Sequence, residues 1–143
     1  MADIKRIAIM VYYWPPSGGS GVQRWLFLAN YFAAKGLDVS VFVPENPRIA
    51  QVDDRLAQKV HSGITEIKVD GWEPLQRSNK PIGENLGAKR GIVKRFMLWV
   101  RANFFIPDAR VYWARAATQV FLKHHKQTPF DLIITSGPPH SLH

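Results

Sequence analysis

Cysteine is absent from this 143-residue chain, which removes disulfide staples, thiolate metal ligands and a sulfur nucleophile together. No apolar run reaches the roughly 20 residues that a bilayer-spanning helix needs. The longest apolar-rich stretch, roughly 92–106, is broken by Lys94, Arg95 and Arg101. Met1-Ala2-Asp3-Ile4-Lys5-Arg6 leads straight into a short apolar strand, without the long apolar core and small-residue cleavage site of a secretory signal. These features together fit a cytoplasmic protein. The phosphate-loop pattern G-x-x-x-x-G-K-[ST] is missing, which argues against a nucleoside-triphosphate hydrolase. Acidic residues are scarce in one half only: residues 1–75 hold eight basic and eight acidic side chains, whereas 76–143 hold eleven basic and three acidic. The whole net charge of +8 therefore lies in the second half. Such a face attracts anions such as lipid head groups, nucleic acid or phosphorylated substrates, or it is simply a solvated basic surface. No helix-turn-helix, zinc or RRM signature supports the nucleic-acid reading.

What is present is a β-loop-α-β pattern at the amino end. Ile7 to Tyr13 is a continuous apolar run closed by Trp14-Pro15-Pro16, the pattern of a strand covered on both faces in a parallel sheet. Ser17-Gly18-Gly19-Ser20-Gly21 turns the chain, and Val22, Trp25, Leu26, Ala29 and Phe32 then recur at helical spacing, with Gly36 just past the end. Val39 to Val43 forms a second short strand ended by Pro44. Parallel strands joined by a helix imply a right-handed crossover. The fold class that follows is α/β, a Rossmann-like parallel sheet flanked by helices, and the length favours one domain.

Further along, Val52 to Val60 reads as a short helix, Ile64 to Val69 alternates like a strand, and 71–90 is a long loop rich in Gly, Pro, Asn and Lys. From 92 to 105 the residues Ile92, Val93, Phe96, Met97, Trp99, Val100 and Phe104 share one arc of a helical wheel, with Lys94 and Arg101 opposite and Arg95 beyond the arc's other edge. Pro107 and Asp108 end that helix and start another, which runs to about Lys126 and places Lys123, His124, His125 and Lys126 in its last turn, where cations complement the dipole. Phe130 to Thr135 is a further buried strand, closed by Ser136-Gly137-Pro138-Pro139. His140-Ser141-Leu142-His143 resembles the start of a helix, so the domain is expected to be incomplete at its carboxyl end.

A glycine-rich turn between a buried strand and a helix lets an anion approach the backbone, where the helix N-terminus offers unpaired N–H groups. Ser17 to Gly21 meets that description. The dinucleotide fingerprint G-x-G-x-x-G fits poorly, because Arg24 occupies the third glycine position. The alternative reading is an ordinary strand-to-helix turn whose glycines serve backbone geometry alone.

The stretch Tyr13-Trp14-Pro15-Pro16-Ser17-Gly18-Gly19-Ser20-Gly21-Val22-Gln23-Arg24, continuing through Leu28-Ala29 to Lys35-Gly36-Leu37-Asp38-Val39, resembles the opening of family-4-type retaining glycosyltransferases, P-P-x-G-G-x-G-V-x-R, then L-A, then G-H-x-V-x-V. Leu37 and Asp38 depart from it by lacking the histidine. Three more segments are similar to a bacterial subgroup of these enzymes: Arg101 to Arg110, then Trp113, then Phe130 to His143. The likeness covers the whole chain in order.

The resemblance implies the amino-terminal, acceptor-side portion of a GT-B enzyme of two Rossmann-like domains, spanning residues 1–143, with the donor-binding domain outside it. The co-substrate would be a nucleotide-sugar and the acceptor a glycan or lipid-linked saccharide, as in polysaccharide biosynthesis, with no other cofactor. Gly18, Gly19 and Gly21 would lie against the donor diphosphate, and Arg24, one turn into the helix, either adds positive charge there or is a solvated helix residue. His140 is the nearest candidate for the histidine that the family's first domain places near the sugar; the alternative is a polar residue at a helix start. A His140-x-x-His143 metal pair lacks the carboxylate or cysteine that would complete a ligand set, so no metal is expected. The family's donor-site pair, E-x7-E, is missing, since Glu66 and Glu73 have six residues between them and straddle a glycine. Catalysis by these residues alone is not expected. Lys94, Arg95 and Arg101 either face an anionic membrane and the acceptor, as a peripheral contact at its inner face, or punctuate a helix whose apolar arc simply packs on the sheet. A non-catalytic Rossmann-like module that binds a nucleotide or phosphate is the alternative to the transferase.

Overall fold

A computed structural model describes residues 4–47, 49, 51–71, 110–137 and 140–142. The first strand, β1 (Arg6–Val11), carries five consecutive buried residues after Arg6. A strand so apolar on both faces has to sit inside a sheet with a layer on each side. It does: the strand order is β3-β2-β1-β4, with β2 (Asp38–Pro44), β3 (Ile64–Val69) and β4 (Leu132–Ser136). All three pairings are parallel, with Ile9 opposite Val41 on one side and Ile134 on the other. The protein is thus α/β, a four-stranded parallel sheet of Rossmann-like type flanked by helices.

Strand parity separates two cores. Ile7, Ile9 and Val11 point to one face with Val39, Val41 and Val43, and helix α1 (Ser20–Ala34) covers them with Val22, Leu26, Ala29 and Ala33. These α1 residues recur at three- and four-residue spacing, as one stripe of a helix must. Full burial of Leu26 is worth about 1.5–3 kcal/mol relative to exposure. Ala8, Met10 and Tyr12 point to the other face, where α3 (Val111–Gln127) lays Trp113, Ala114, Ala117 and Phe121 over Phe42. That face is aromatic: the Phe42 ring lies 5.8 Å from Phe121 and 6.1 Å from Phe130 in edge geometry, and Tyr12 meets Trp113 at 5.3 Å. Trp113 Nε1 donates to the Val69 carbonyl at 3.2 Å and ties α3 to the end of β3. Gly71 allows this approach, because a Cβ there would come within 2.8 Å of the Trp113 ring.

Several boundaries differ from the sequence expectation for identifiable reasons. The short helix expected over 52–60 is confined to α2 (Asp54–Ala57), because Val52 pairs with Ser17 in an antiparallel bridge and Asp53 caps the helix through Arg55 N at 3.1 Å. The last strand begins at Leu132 rather than Phe130, since Phe130 is drawn into the aromatic core and the Asp131 side chain accepts the Lys5 and Arg6 amides, each at 2.8 Å. His125 sits in the last turn of α3 as expected, but its Nδ1 accepts the Phe130 amide at 3.1 Å and its ring stacks on Phe121 at 5.5 Å. Its role there is packing and turn closure. A short 3-10 turn, His140–Leu142, follows β4 and buries Leu142. The loop expected over 71–90 beyond Gly71, and the helix expected over 92–105, lie outside the described residues.

Candidate functional site

The order β3-β2-β1-β4 contains a switch in direction: the chain leaves β1 toward β2 and β3, then returns to the other side of β1 to form β4. In parallel α/β sheets the connecting loops part at such a point, leaving a crevice beyond the carboxyl ends of the two strands. The segment after β1 is the glycine-rich turn, and β4 ends at Ser136 and continues into Gly137. A cavity of about 210 Å³ lies there, walled by Tyr13, Gly18, Gly21, Trp25, Ser136 and Gly137 among others.

The turn itself is held firmly. Pro15-Pro16 is cis, Ser17 N donates to the Trp14 carbonyl at 2.9 Å, Gly18 N to the Gln51 carbonyl at 2.8 Å, and Asp53 N to the Pro16 carbonyl at 2.7 Å. Gly18 therefore spends its amide on the 51–53 segment and contributes the absence of a side chain: a Cβ there would press on Gln51 Cγ at 3.2 Å. Gly19 is the N-cap of α1 with φ of 114°, a conformation that L side chains rarely adopt. No side chain caps α1 and no acidic residue stands in its first turn. The amides of Ser20 and Gly21 belong to the orphan donors that every helix start leaves unpaired, backed by the positive end of the helix dipole. Both residues are exposed, and a Cβ at Gly21 would meet nothing within 4 Å. That geometry leaves room for an anion against the backbone.

The expected site residues divide accordingly. Gly18 and Gly21 wall the crevice and Gly19 sets the angle at which α1 leaves it. Arg24 is exposed on α1 and is not among the residues lining the crevice. His140 is exposed at the start of the turn after β4, again outside the lining. Lys94, Arg95 and Arg101 lie outside the described residues, as does His143. Among the described residues no group of three or more His, Asp or Glu could hold a metal ion, and no helix is long and apolar enough to cross a membrane.

Two features escaped the sequence reading. The cation close to the crevice wall is Arg110, whose Nη2 donates to the Tyr13 hydroxyl at 3.1 Å and whose guanidinium lies 4.4 Å from the centre of the Tyr12 ring. Nothing in local sequence pairs a residue at the head of α3 with the end of β1; only the sheet brings them together. Trp25, which reads as a core residue by its helical spacing, is half-buried against the core under α1 and also walls the crevice. Asp131, at the amino end of the sheet and remote from this crevice, is held below the usual carboxylate value, first by the Lys5 amide and then by the Arg6 amide. Comparison with known protein families, curated proteins and solved structures finds no match for this chain.

Proposed function

We propose that the chain is the acceptor-side, amino-terminal domain of a retaining glycosyltransferase that moves a sugar from a nucleotide-sugar to a glycan or lipid-linked acceptor. The observation that carries this reading is the meeting of the uncapped, glycine-lined start of α1 with the Ser136-Gly137 turn at the sheet's switch point. Open α/β sheets bind ligands in that crevice, and an uncapped helix start favours a negative group such as a diphosphate. The resemblance of Pro15 to Arg24 to the opening of family-4-type enzymes names the kind of diphosphate. Gly19 and Gly21 let the phosphates reach the Ser20 and Gly21 amides, and Arg110 adds a cation behind Tyr13. A second domain, outside these residues, would supply the carboxylates that hold the rest of the donor.

Few contacts are available on this side of the cleft, and each neutral hydrogen bond is worth roughly 0.5–1.5 kcal/mol net. The chain alone should accordingly bind nucleoside diphosphates weakly, with a millimolar dissociation constant, and transfer no sugar. The test is to assay the full-length gene product against a panel of nucleotide-sugars and acceptors, reading transferred sugar by mass spectrometry. Acceptor-dependent transfer supports the proposal. Binding of diphosphate by the full-length protein with no transfer to any acceptor would replace it with the nucleotide- or phosphate-binding module.

A further inference from the structure

Three hydroxyl-bearing residues wall the crevice, Tyr12, Tyr13 and Ser136, and they differ in what their hydroxyls can do for a ligand. Tyr12 is 1% exposed, with its ring against Trp113 and the Arg110 guanidinium, and has no surface to offer. Ser136 Oγ donates to the Gly137 carbonyl at 3.3 Å and keeps its proton within its own turn. The half-buried Tyr13 is on the receiving side of its bond, since its hydroxyl accepts from Arg110 Nη2 at 3.1 Å. A phenol oxygen that accepts through a lone pair still carries one proton of its own. Among the described residues no acceptor takes that proton. We infer that Tyr13 is the side-chain donor that meets an anion in this crevice, and that Arg110 is a positioning residue which acts through the tyrosine and not on the ligand. The assignment rests on the diphosphate reading above and adds to it the side chain that touches the anion.

The hydroxyl is fixed before any ligand arrives. The Tyr13 ring meets Tyr12 edge-on at 4.9 Å, and Tyr12 meets Trp113 edge-on at 5.3 Å. Trp113 is buried and pinned by its Nε1 bond to the Val69 carbonyl. The Arg110 guanidinium lies 4.4 Å from the Tyr12 ring centre and 5.7 Å from that of Tyr13, cation–π contacts that hold the fork beside both rings. Tyr13 is thus backed by a stack built from the end of β1 and the head of α3, so little side-chain freedom is left to lose on binding. A hydroxyl that accepts from a cation is polarised and donates more strongly in its turn. Arg110 itself is not among the lining residues, so its charge is felt in the crevice through the tyrosine O–H. The start of α1 and Tyr13 together line one crevice with donors, which suits the oxygens of a phosphate and opposes an ammonium.

The test uses the ¹⁵N-labelled 143-residue chain with its tyrosines ¹³C-labelled at Cζ, titrated with inorganic pyrophosphate at fixed ionic strength. Comparison with Tyr13→Phe assigns the Tyr13 Cζ resonance. The Ser20 and Gly21 amides and Tyr13 Cζ are expected to move with one dissociation constant. Tyr13→Phe keeps the ring and its contacts, and is expected to weaken binding about tenfold or more, the loss of one hydrogen bond to a charged acceptor. Arg110→Gln is expected to weaken binding in the parent chain but to add no further loss to Tyr13→Phe, because a residue that acts through another contributes nothing once that one is removed. Arg110→Lys, which retains a cationic donor, is expected to recover most of the affinity. Should Arg110→Gln fail to fold by circular dichroism, Arg110→Met, which keeps the apolar stem beside Tyr12, replaces it. Unchanged affinity in Tyr13→Phe, an unmoved Tyr13 Cζ, or equal weakening by Arg110→Gln with and without the tyrosine hydroxyl overturns the assignment; with Ser20 and Gly21 still moving, the diphosphate crevice stands. No response at Ser20 or Gly21 in the unsubstituted chain overturns the diphosphate reading and this assignment with it.

Discussion

The two ends of the parallel sheet use polar groups in opposite ways. At the amino end they satisfy one another: Arg6 Nε donates to Asp38 at 2.8 Å, Arg6 Nη1 donates to the Pro129 carbonyl at 2.9 Å, the Arg6 guanidinium lies 4.9 Å from the Phe130 ring centre, and Asp131 accepts two backbone amides. At the carboxyl end α1 begins without a side-chain cap, glycines replace bulk, and two cavities open on either side of the loop after β1. Groups already paired within the protein have little left for a ligand, whereas an uncapped helix start has donors to give. The amino end is therefore where stability should respond to substitution, and the carboxyl end is where function should.

The largest effect that would break this division is at Gly19. In the proposed full-length transferase Gly19→Val should lower kcat/KM by about 10²-fold or more, the scale seen when a preorganised donor is lost from a charged transition state. The strained φ should cost only about 1–3 kcal/mol of stability. A folded variant by circular dichroism with unchanged kinetics would reduce the turn to backbone geometry. Next in size is the amino end: Arg6→Ala should destabilise the chain by about 1–2 kcal/mol, through the exposed ion pair, the carbonyl bond and the ring contact together. Chemical denaturation measures it, and diphosphate affinity should stay the same. A loss of affinity with no loss of stability would reverse the assignment of the two ends.

Gly21→Ala sharpens the contrast, because stability and binding should move in opposite directions. The added Cβ meets no neighbour and Gly21 already sits in the first turn of α1, so the variant should gain about 0.4–1 kcal/mol. The same methyl group stands where a phosphate would approach, and turnover should fall. Thermal denaturation beside kinetics of the proposed full-length transferase reads both; equal or improved turnover would place the ligand elsewhere. The smallest effect is a pH dependence. Asp131 has its folded pKa below the ordinary carboxylate value of 3.8, so its stabilisation is present above that value and disappears as pH falls through the lowered folded pKa. Asp131→Asn should be less stable than the parent at neutral pH, with the difference closing in acid. A gap that persists below the carboxylate range would assign the loss to packing instead of charge.

The architecture was largely readable in the sequence where the pattern was local. The run Ile7 to Val11 and the spacing of Val22, Trp25, Leu26, Ala29 and Phe32 state a buried strand and its covering helix without reference to anything distant. The glycine turn was legible for the same reason: strand, glycines and helix are contiguous. What could not be read was whatever depends on the return of the chain. Ser136 and Gly137 look like any tight turn until β4 pairs with β1 and sets them beside Gly18 and Gly21. Trp14 and Glu66 are 52 residues apart and share a hydrogen bond only because β3 lies two strands from β1. Arg24, chosen by its nearness in sequence to the glycines, is exposed on α1 outside the crevice lining, whereas Arg110, 97 residues from Tyr13, reaches the tyrosine that walls it.

The central claim, that the start of α1 and the turn after β4 form one diphosphate site, is tested most directly by amide chemical shifts. Uridine diphosphate and inorganic pyrophosphate are titrated into the ¹⁵N-labelled chain, and shifts are followed residue by residue. The account predicts that Ser20, Gly21 and Gly137 move together with one dissociation constant in the millimolar range, while Lys5, Arg6 and Asp131 stay in place. Shifts confined to the amino end of the sheet, or no shift at Ser20 and Gly21 with either anion, would contradict it.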